Sequence, residues 1–592
     1  MIPEFKSYLR EFKRHWLSYL LLLMLFDLFN QFILIPLLRY ITTFVLQAGA
    51  IPFVSYQNVV TIITTHTIVF VILILELLLL LFLIYVQLVV LLLSIKTIAS
   101  DNFELKTIFH LTWQRIKKTR LSTLLLVTMY FLILVPLADI VFRTPLLAKI
   151  QISEFILDYL TRTPLLLGIL VAFYLIIICL GARWVLALPL IIYRQEKPLA
   201  AIKSSWQLTK NGNWWSLLSR MLVVAISTAI VLVIFYGLIY GLQLIWDLFP
   251  GKYLPMTLAI LNLTLIQIVS AIVLAGVIVV FTLILLRGIK LLPKGKSSFI
   301  TNKKTIFIAV LAALIIVASS VFTNSLYLTG TNGKRLLIIS HRGVSDQNGV
   351  QNTIPALTKT VKLKPDYVEI DLHETKDHQF VVLHDENLAK LTGVNKAPSE
   401  LTLKELTQLT AKENGHQAKI TSFDQYLKAA QRHKQKLLLE IKTTPKDSKK
   451  MLQNFNRKYA ATILRDHYQV QSLDYRVVEG LHQINSKLKV LYIQPYNFTY
   501  PHSVADGYSM EYSTLNTDFV WQAHLKQHPV YAWTINDEKL MKKMMYGQVD
   551  GLITDNVTLA KKAIKAYQAD TSYAQRILNY LIVVHVSGNL EV

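Results

Sequence analysis

The 592-residue chain is 53% hydrophobic, has a mean hydropathy of +0.43 and carries a formal net charge of +24. It is too apolar for an ordinary soluble enzyme and long enough for two or more domains. Its one cysteine, Cys179, lies in an apolar run, which excludes an intrachain disulfide.

The apolar excess ends near residue 325. Hydropathy and length predict seven membrane spans, at about 17–39, 67–95, 121–143, 165–193, 217–247, 257–286 and 305–323. The segment 144–164 reads as a re-entrant or interfacial piece. The first span is long and no small-residue cleavage site follows it, so no cleavable signal peptide is expected. Basic residues split 20 to 5 between alternate loops, which predicts a cytoplasmic amino terminus. With an odd span count, the carboxy-terminal domain is then extracytoplasmic, on a multi-pass protein of the cell membrane. The positive charge is a topology signal plus attraction to anionic membrane lipids, and needs no nucleic acid. Runs 96–120 and 197–215 mix aromatic, apolar and basic residues and are expected as helices at the cytoplasmic interface. Asp27, Asn30, Glu76, Asp139 and Arg183 fall inside spans, where polar groups either serve function or pair across helices.

Beyond the spans, TNSLYLTGTNGK (323–334) is polar and reads as a tether. Strand-like runs then alternate with helical stretches: LLIIS, YVEID, LLLEIK, YQVQSL, KVLYIQ, a weak run near 506–511, VYAWTI and DGLIT. Eight βα-type units point to an α/β fold, a TIM (β/α)8 barrel behind an all-α polytopic membrane domain. The expected organisation is a membrane domain over 1–323, a tether over 324–334, a barrel over 335–569 and a tail over 570–592. The tail run ILNYLIVVHV (577–586) is too short to span and is expected to lie on the barrel or the membrane.

In that barrel, catalytic residues belong at the carboxyl ends of strands. Glu369 and Asp371 are two apart on YVEID and so share a side. Paired carboxylates suit a hard, oxygen-loving divalent cation, Mg²⁺ or Ca²⁺, rather than zinc. The run TKDHQ reads as a hairpin turn that returns FVVLHD alongside, bringing His384 back beside Asp371. Glu440 and Lys442 share a side of LLLEIK. His373, His378, His433 and His502 lie in polar stretches and read as solvated.

The ordered set HRG, E-x-D, V-x-H-D, E-x-K, then YAWTIND (Tyr531 to Asp537) and DGLITDN (Asp550 to Asn556), all within 335–556, resembles the glycerophosphodiester phosphodiesterase family. The resemblance implies that Glu369, Asp371 and Glu440 bind the metal, that His341 and His384 act as acid and base, and that Arg342 and Lys442 hold the phosphate. Trp533 is a candidate contact for the glycerol, with plain strand packing as the alternative. It also implies attack by a neighbouring glycerol hydroxyl and a cyclic phosphate intermediate. Compatible substrates are deacylated phospholipids, lysolipids and glycerol-phosphate polymers. The chain departs from the family's P-E-N-T, reading Val350, Gln351, Asn352 and Thr353 there, which removes a charge from the site rim. Two other readings remain: a membrane part that translocates or binds lipid or solute, and a phospholipase C-like activity, which shares the barrel and a two-histidine strategy. The sequence carries no sign of oligomeric state.

Overall fold

The computed structural model describes the chain outside residues 1–7, 9, 52–53, 55–58, 101–104, 135–156, 158–159, 162, 211–212, 289–302, 330–334, 497–499, 570–571 and 582–592. Twelve strands follow the membrane part among the described residues: β1 (Leu337–Ser340), β2 (Tyr367–Glu374), β3 (Phe380–Val382), β4 (Thr410–Glu413), β5 (His416–Lys419), β6 (Thr421–Ser422), β7 (Lys436–Ile441), β8 (Gln469–Ser472), β9 (Val490–Gln494), β10 (Gly507–Glu511), β11 (Val530–Trp533) and β12 (Gly551–Thr554). Eight of them close into a parallel barrel in the order β1, β2, β7, β8, β9, β10, β11, β12, and β12 pairs back onto β1. These are the eight strand runs expected from the sequence.

Alternation along each strand builds the site. Val368, Ile370, Leu372, Leu437, Leu439 and Ile441 face outward into the large core beneath the surrounding helices. Their neighbours face inward. Ile339, Tyr367, Leu438, Leu491, Tyr531 and Ile553 form an apolar floor across the barrel. Two residues further along the same strands come His341, Glu369, Glu440, Ile493, Trp533 and Asp555, all lining one cavity. The floor thus shuts the barrel below and leaves the polar layer at the carboxyl ends of the strands.

β2 and β3 form the expected hairpin, with Leu372 opposite Val382. Its return arm brings Leu383 N to Asp371 O at 3.0 Å. The hairpin β4–β5 was not anticipated, although its Asn414-Gly415 turn is a hairpin signal.

Six helices among the described residues are long and apolar enough to cross a membrane: Trp16–Ala48, Thr67–Ala99, Pro164–Arg194, Trp214–Trp246, Tyr253–Leu286 and Ile306–Thr329. The expected span at 121–143 is helical over Leu121–Leu134 and otherwise lies outside the described residues. The first span runs to Ala48, nine residues past its expected end, with a π-helical segment at Asn30–Leu34. The two expected interfacial helices form as Leu105–Lys117 and Pro198–Leu208. Of the polar residues expected inside spans, Asn30 accepts from Gln87 at 2.6 Å, Glu76 accepts from Thr42 at 2.6 Å, and Arg183 donates to Thr209 O and lies over the Trp206 ring. They pair across helices, as one of the two readings required. Asp27 is exposed and Asp139 lies outside the described residues.

The last span stays helical to Thr329, inside the segment read as a tether, because LYLT continues its apolar run. The tail helix Tyr573–Asn579 docks on the membrane helices rather than on lipid alone. Its Tyr573, Ile577, Tyr580 and Leu581 pack with Ile239, Ala259, Leu263, Ile266 and Leu328. Asp247 accepts from Ser572 Oγ and Ala574 N at 2.8 Å each, capping that helix start. Gln267 donates to the Tyr580 hydroxyl at 2.7 Å, and Asn579 to the Tyr546 hydroxyl of the barrel at 2.8 Å.

Candidate active site

The eight residues singled out in the sequence, His341, Arg342, Glu369, Asp371, His384, Glu440, Lys442 and Trp533, all line one cavity of about 1120 Å³ at the barrel mouth. Arg342 sits in left-handed backbone (φ 52°), followed by Gly343 at φ 67°. A Cβ on Gly343 would lie 2.5 Å from the buried Tyr426 hydroxyl, so the turn requires glycine. That turn aims the Arg342 N–H at Glu369 Oε2, 2.8 Å away.

Glu369, Asp371 and Glu440 each offer an oxygen, and the three oxygens lie within 4.8 Å of one another. The β2–β7 register sets Asp371 directly opposite Glu440. Burial pushes Glu369 well above the usual carboxylate range, and the charges of Asp371 and Glu440 add to it. Burial acts on Asp371 in the same direction, yet Lys442, His384, Arg342 and a hydrogen bond from Asn352 hold it below that range. Asn352 Nδ2 donates to Asp371 Oδ2 at 2.9 Å. Asp371 Oδ1 is buried and accepts no hydrogen bond, with Lys442 Nζ 3.2 Å away. Lys442 also lies 2.7 Å from Glu440; these two carboxylates outweigh its burial and keep it charged. An all-oxygen cluster in which Asp371 Oδ1 accepts no hydrogen bond and meets only the Lys442 charge fits a hard divalent cation.

The histidines are each held through Nδ1, leaving Nε2 as the nitrogen available to the cavity. His341 Nδ1 lies 2.8 Å from Asp555 Oδ1, and His384 Nδ1 lies 2.9 Å from Asp385 Oδ1. Burial lowers His384, outweighing the neighbouring Asp371 and Asp385, so its imidazole is neutral at pH 7. Asp555 is pulled down to about 2 against its partial desolvation by His341, Asn536 and Arg342. Asn536 Nδ2 donates to Asp555 Oδ2 at 2.7 Å.

Trp533 donates its Nε1–H to Ser509 O at 3.0 Å while its ring lines the cavity. The charge missing at Gln351 is present close by. Glu413, from the β4–β5 hairpin, accepts from Gln351 N at 2.9 Å and from Gln351 Nε2 at 2.6 Å. Gln351 Oε1 in turn accepts from Arg342 at 2.9 Å. His378, His433 and His502 are exposed as expected, whereas His373 is not. β2 continues through Glu374 and buries His373, whose Nε2 lies 3.2 Å from His384 O.

Residues 341–559 match the glycerophosphoryl diester phosphodiesterase family, and residues 5–324 match the membrane domain of glycerophosphoryl diester phosphodiesterase. YhdW of Bacillus subtilis, described as a glycerophosphodiester phosphodiesterase, is 27% identical over 238 residues, covering 37% of this chain and 94% of that protein. A human lysophospholipase D is 50% identical over 68 residues, 12% of this chain and 21% of that protein. Among solved structures, a glycerophosphodiester phosphodiesterase from Parabacteroides distasonis aligns with TM-score 0.35 and 24% identity, over 40% of this chain and 99% of that one. A phosphodiesterase from Oleispira antarctica in complex with sn-glycerol-3-phosphate aligns with TM-score 0.34 and 20% identity, over 39% of this chain and 96% of that one.

Proposed function

The chain belongs to the glycerophosphodiester phosphodiesterase family, in the form with a membrane domain, and from that premise we propose that it hydrolyses a glycerophosphodiester to glycerol phosphate and an alcohol at a membrane surface. The observation that carries the reading is the convergence of two Nδ1-anchored histidines, two cations and three clustered carboxylates in one barrel mouth.

Glu369, Asp371 and Glu440 would hold a divalent cation, Mg²⁺ or Ca²⁺, which when bound polarises a phosphoryl oxygen as a Lewis acid. Arg342 and Lys442 bind the other phosphate oxygens and orient the phosphorus. His384, neutral, takes the proton of the neighbouring glycerol hydroxyl as its oxygen attacks phosphorus. His341 gives a proton to the departing alkoxide oxygen, and the ionised Asp555 supplies the counter-charge to its imidazolium. The attacking hydroxyl is already tethered to the phosphate, which removes part of the entropic cost of bringing a nucleophile. In the second step a water gives its proton to His341, attacks the cyclic phosphate, and the ring oxygen leaves with a proton from His384. Trp533 forms one wall for the glycerol.

The membrane assignment rests on the helices and on charge. Six helices among the described residues are long and apolar enough to cross a membrane, and the expected span at 121–143 is helical over Leu121–Leu134. An odd count of crossings, with the 20 to 5 split of basic residues, supports a cytoplasmic amino terminus and an extracytoplasmic barrel.

The test is product analysis. Full-length protein in detergent is incubated with glycerophosphocholine and Mg²⁺ or Ca²⁺, and phosphorus NMR follows the products. Glycerol phosphate preceded by a transient cyclic phosphate is expected; release of phosphocholine would overturn the assignment.

A further inference from the structure

One barrel helix carries an apolar stripe that nothing among the described residues covers. The helix Thr517–Leu525 follows β10, and Glu511 at the end of that strand and Tyr512 just after it line the cavity mouth. Asp518, Trp521 and Leu525 lie at i, i+3 and i+7 and so form one stripe along it. Asp518 ends that stripe in an ion pair with Arg39 of the first spanning helix, Nη1 to Oδ2 2.6 Å. Trp521 is 60% exposed and Leu525 65% exposed. Lys526, next in the chain, is also exposed and lies over the Tyr500 ring.

The depth of Arg39 identifies what lies against the stripe. Trp16 and Arg39 sit on the same spanning helix, and their separation along it is roughly 35 Å at 1.5 Å per residue. The hydrocarbon core is about 30 Å thick. Trp16, an exposed tryptophan at the helix start, marks one interface. Arg39 then falls at the opposite headgroup layer, where its charge is tolerated. A helix that pairs with Arg39 through Asp518 lies at that same depth, and its continuing face meets lipid.

We propose that Trp521 and Leu525 seat the barrel in the headgroup and acyl boundary of the membrane that holds the spanning helices. The rim at Glu511 and Tyr512 is thereby held at headgroup level, so a glycerophosphodiester borne on a lipid reaches the mouth without leaving the surface. The inference rests on the membrane reading above and goes beyond it, since a tether alone leaves the barrel free to turn. Tryptophan suits this layer, with an apolar ring and an N–H that finds water or phosphate.

The experiment uses the full chain in a Cys179→Ser background, with Trp521→Cys labelled by an environment-sensitive fluorophore. The control is Lys428→Cys, an exposed site on the helix Phe423–Arg432 of the barrel. Both are reconstituted in phosphatidylcholine–phosphatidylglycerol vesicles containing doxyl-labelled lipid. Blue-shifted emission and several-fold stronger quenching at 521 than at 428 are expected. Equal quenching at the two sites overturns the proposal, as does a shift at 521 that follows protein concentration instead of lipid, which would mean a second copy covers the stripe. In parallel, Trp521→Ser with Leu525→Ser should keep its rate on soluble glycerophosphocholine and lose about tenfold on lysophosphatidylcholine in vesicles. Equal retention on both substrates rules out lipid-surface delivery. If the wild type cleaves neither substrate, the hydrolase reading fails while the quenching result still decides the docking.

Discussion

Asp555→Asn isolates the proton-donor role given to His341. The side chain is isosteric, and its two outer atoms face different partners: one meets Asn536 Nδ2 at 2.7 Å, the other His341 Nδ1 at 2.8 Å. Because Asn536 donates, the new amide keeps its oxygen there and turns its NH2 toward His341. Two donors would then oppose each other if His341 carried both ring protons, so the imidazolium is disfavoured and the acid is lost. Loss of one positioned acid costs about 10²- to 10⁴-fold in kcat. The loss should depend on the leaving group: large for glycerophosphocholine, and small for a glycerol nitrophenyl phosphodiester, whose nitrophenolate departs without a proton. Stability changes less. The fall of Asp555 from 3.8 to about 2 corresponds to at most about 2.5 kcal/mol. With 43% of its side chain exposed, screening reduces this to about 1 kcal/mol. Since the folded value is depressed, that contribution is present above the unfolded value and disappears as pH falls through about 2. Single-turnover release of choline and of nitrophenolate, which reports the first step alone, and thermal melts at pH 7 check the case. Equal rate losses on the two substrates would refute His341 as the acid.

The central cluster was legible because each motif sat on a strand of known period. Two-residue spacing on YVEID and on LLLEIK put Glu369 with Asp371 and Glu440 with Lys442, and the hairpin returned His384 to them. What sequence could not show was pairing over long separations. Asp555 meets His341 only because β12 closes against β1, and Tyr580 meets Gln267 only because the tail folds back onto the spans. Glu413 was missed for another reason: its hairpin inserts between barrel elements and carries no family motif, so only its Asn-Gly turn marked it. His373 was misjudged from its polar neighbours, although the strand period that placed Asp371 inward places His373, two residues on, on the same side, where its Nε2 meets His384 O. In the membrane part, hydropathy located the spans but not their ends. Trp16–Ala48 continues past Arg39 because the later turns are still apolar enough to pack, and an ion pair with the barrel satisfies the arginine.

Three further outcomes follow from the same geometry. Asp371→Ala and Glu440→Ala should each abolish hydrolysis while the spanning helices stay folded, and chelator should do the same to the wild type; full turnover in EDTA would sink the metal assignment. A substrate without the hydroxyl beside the phosphate should be cut orders of magnitude more slowly than its parent diester, and equal rates would leave direct attack by water as the better account. Gln351→Glu tests the rim. It sets a second carboxylate where Gln351 Nε2 now donates to Glu413 at 2.6 Å, and it also faces Arg342, which Gln351 Oε1 already engages at 2.9 Å. Two ionised carboxylates in contact repel more than one guanidinium at the rim offsets, so the variant should melt lower than wild type at pH 7, by a difference that added salt narrows. A variant as stable as wild type at pH 7 would mean that Arg342 alone neutralises both groups, and the Gln351–Glu413 contact could then be exchanged for the family's glutamate without cost.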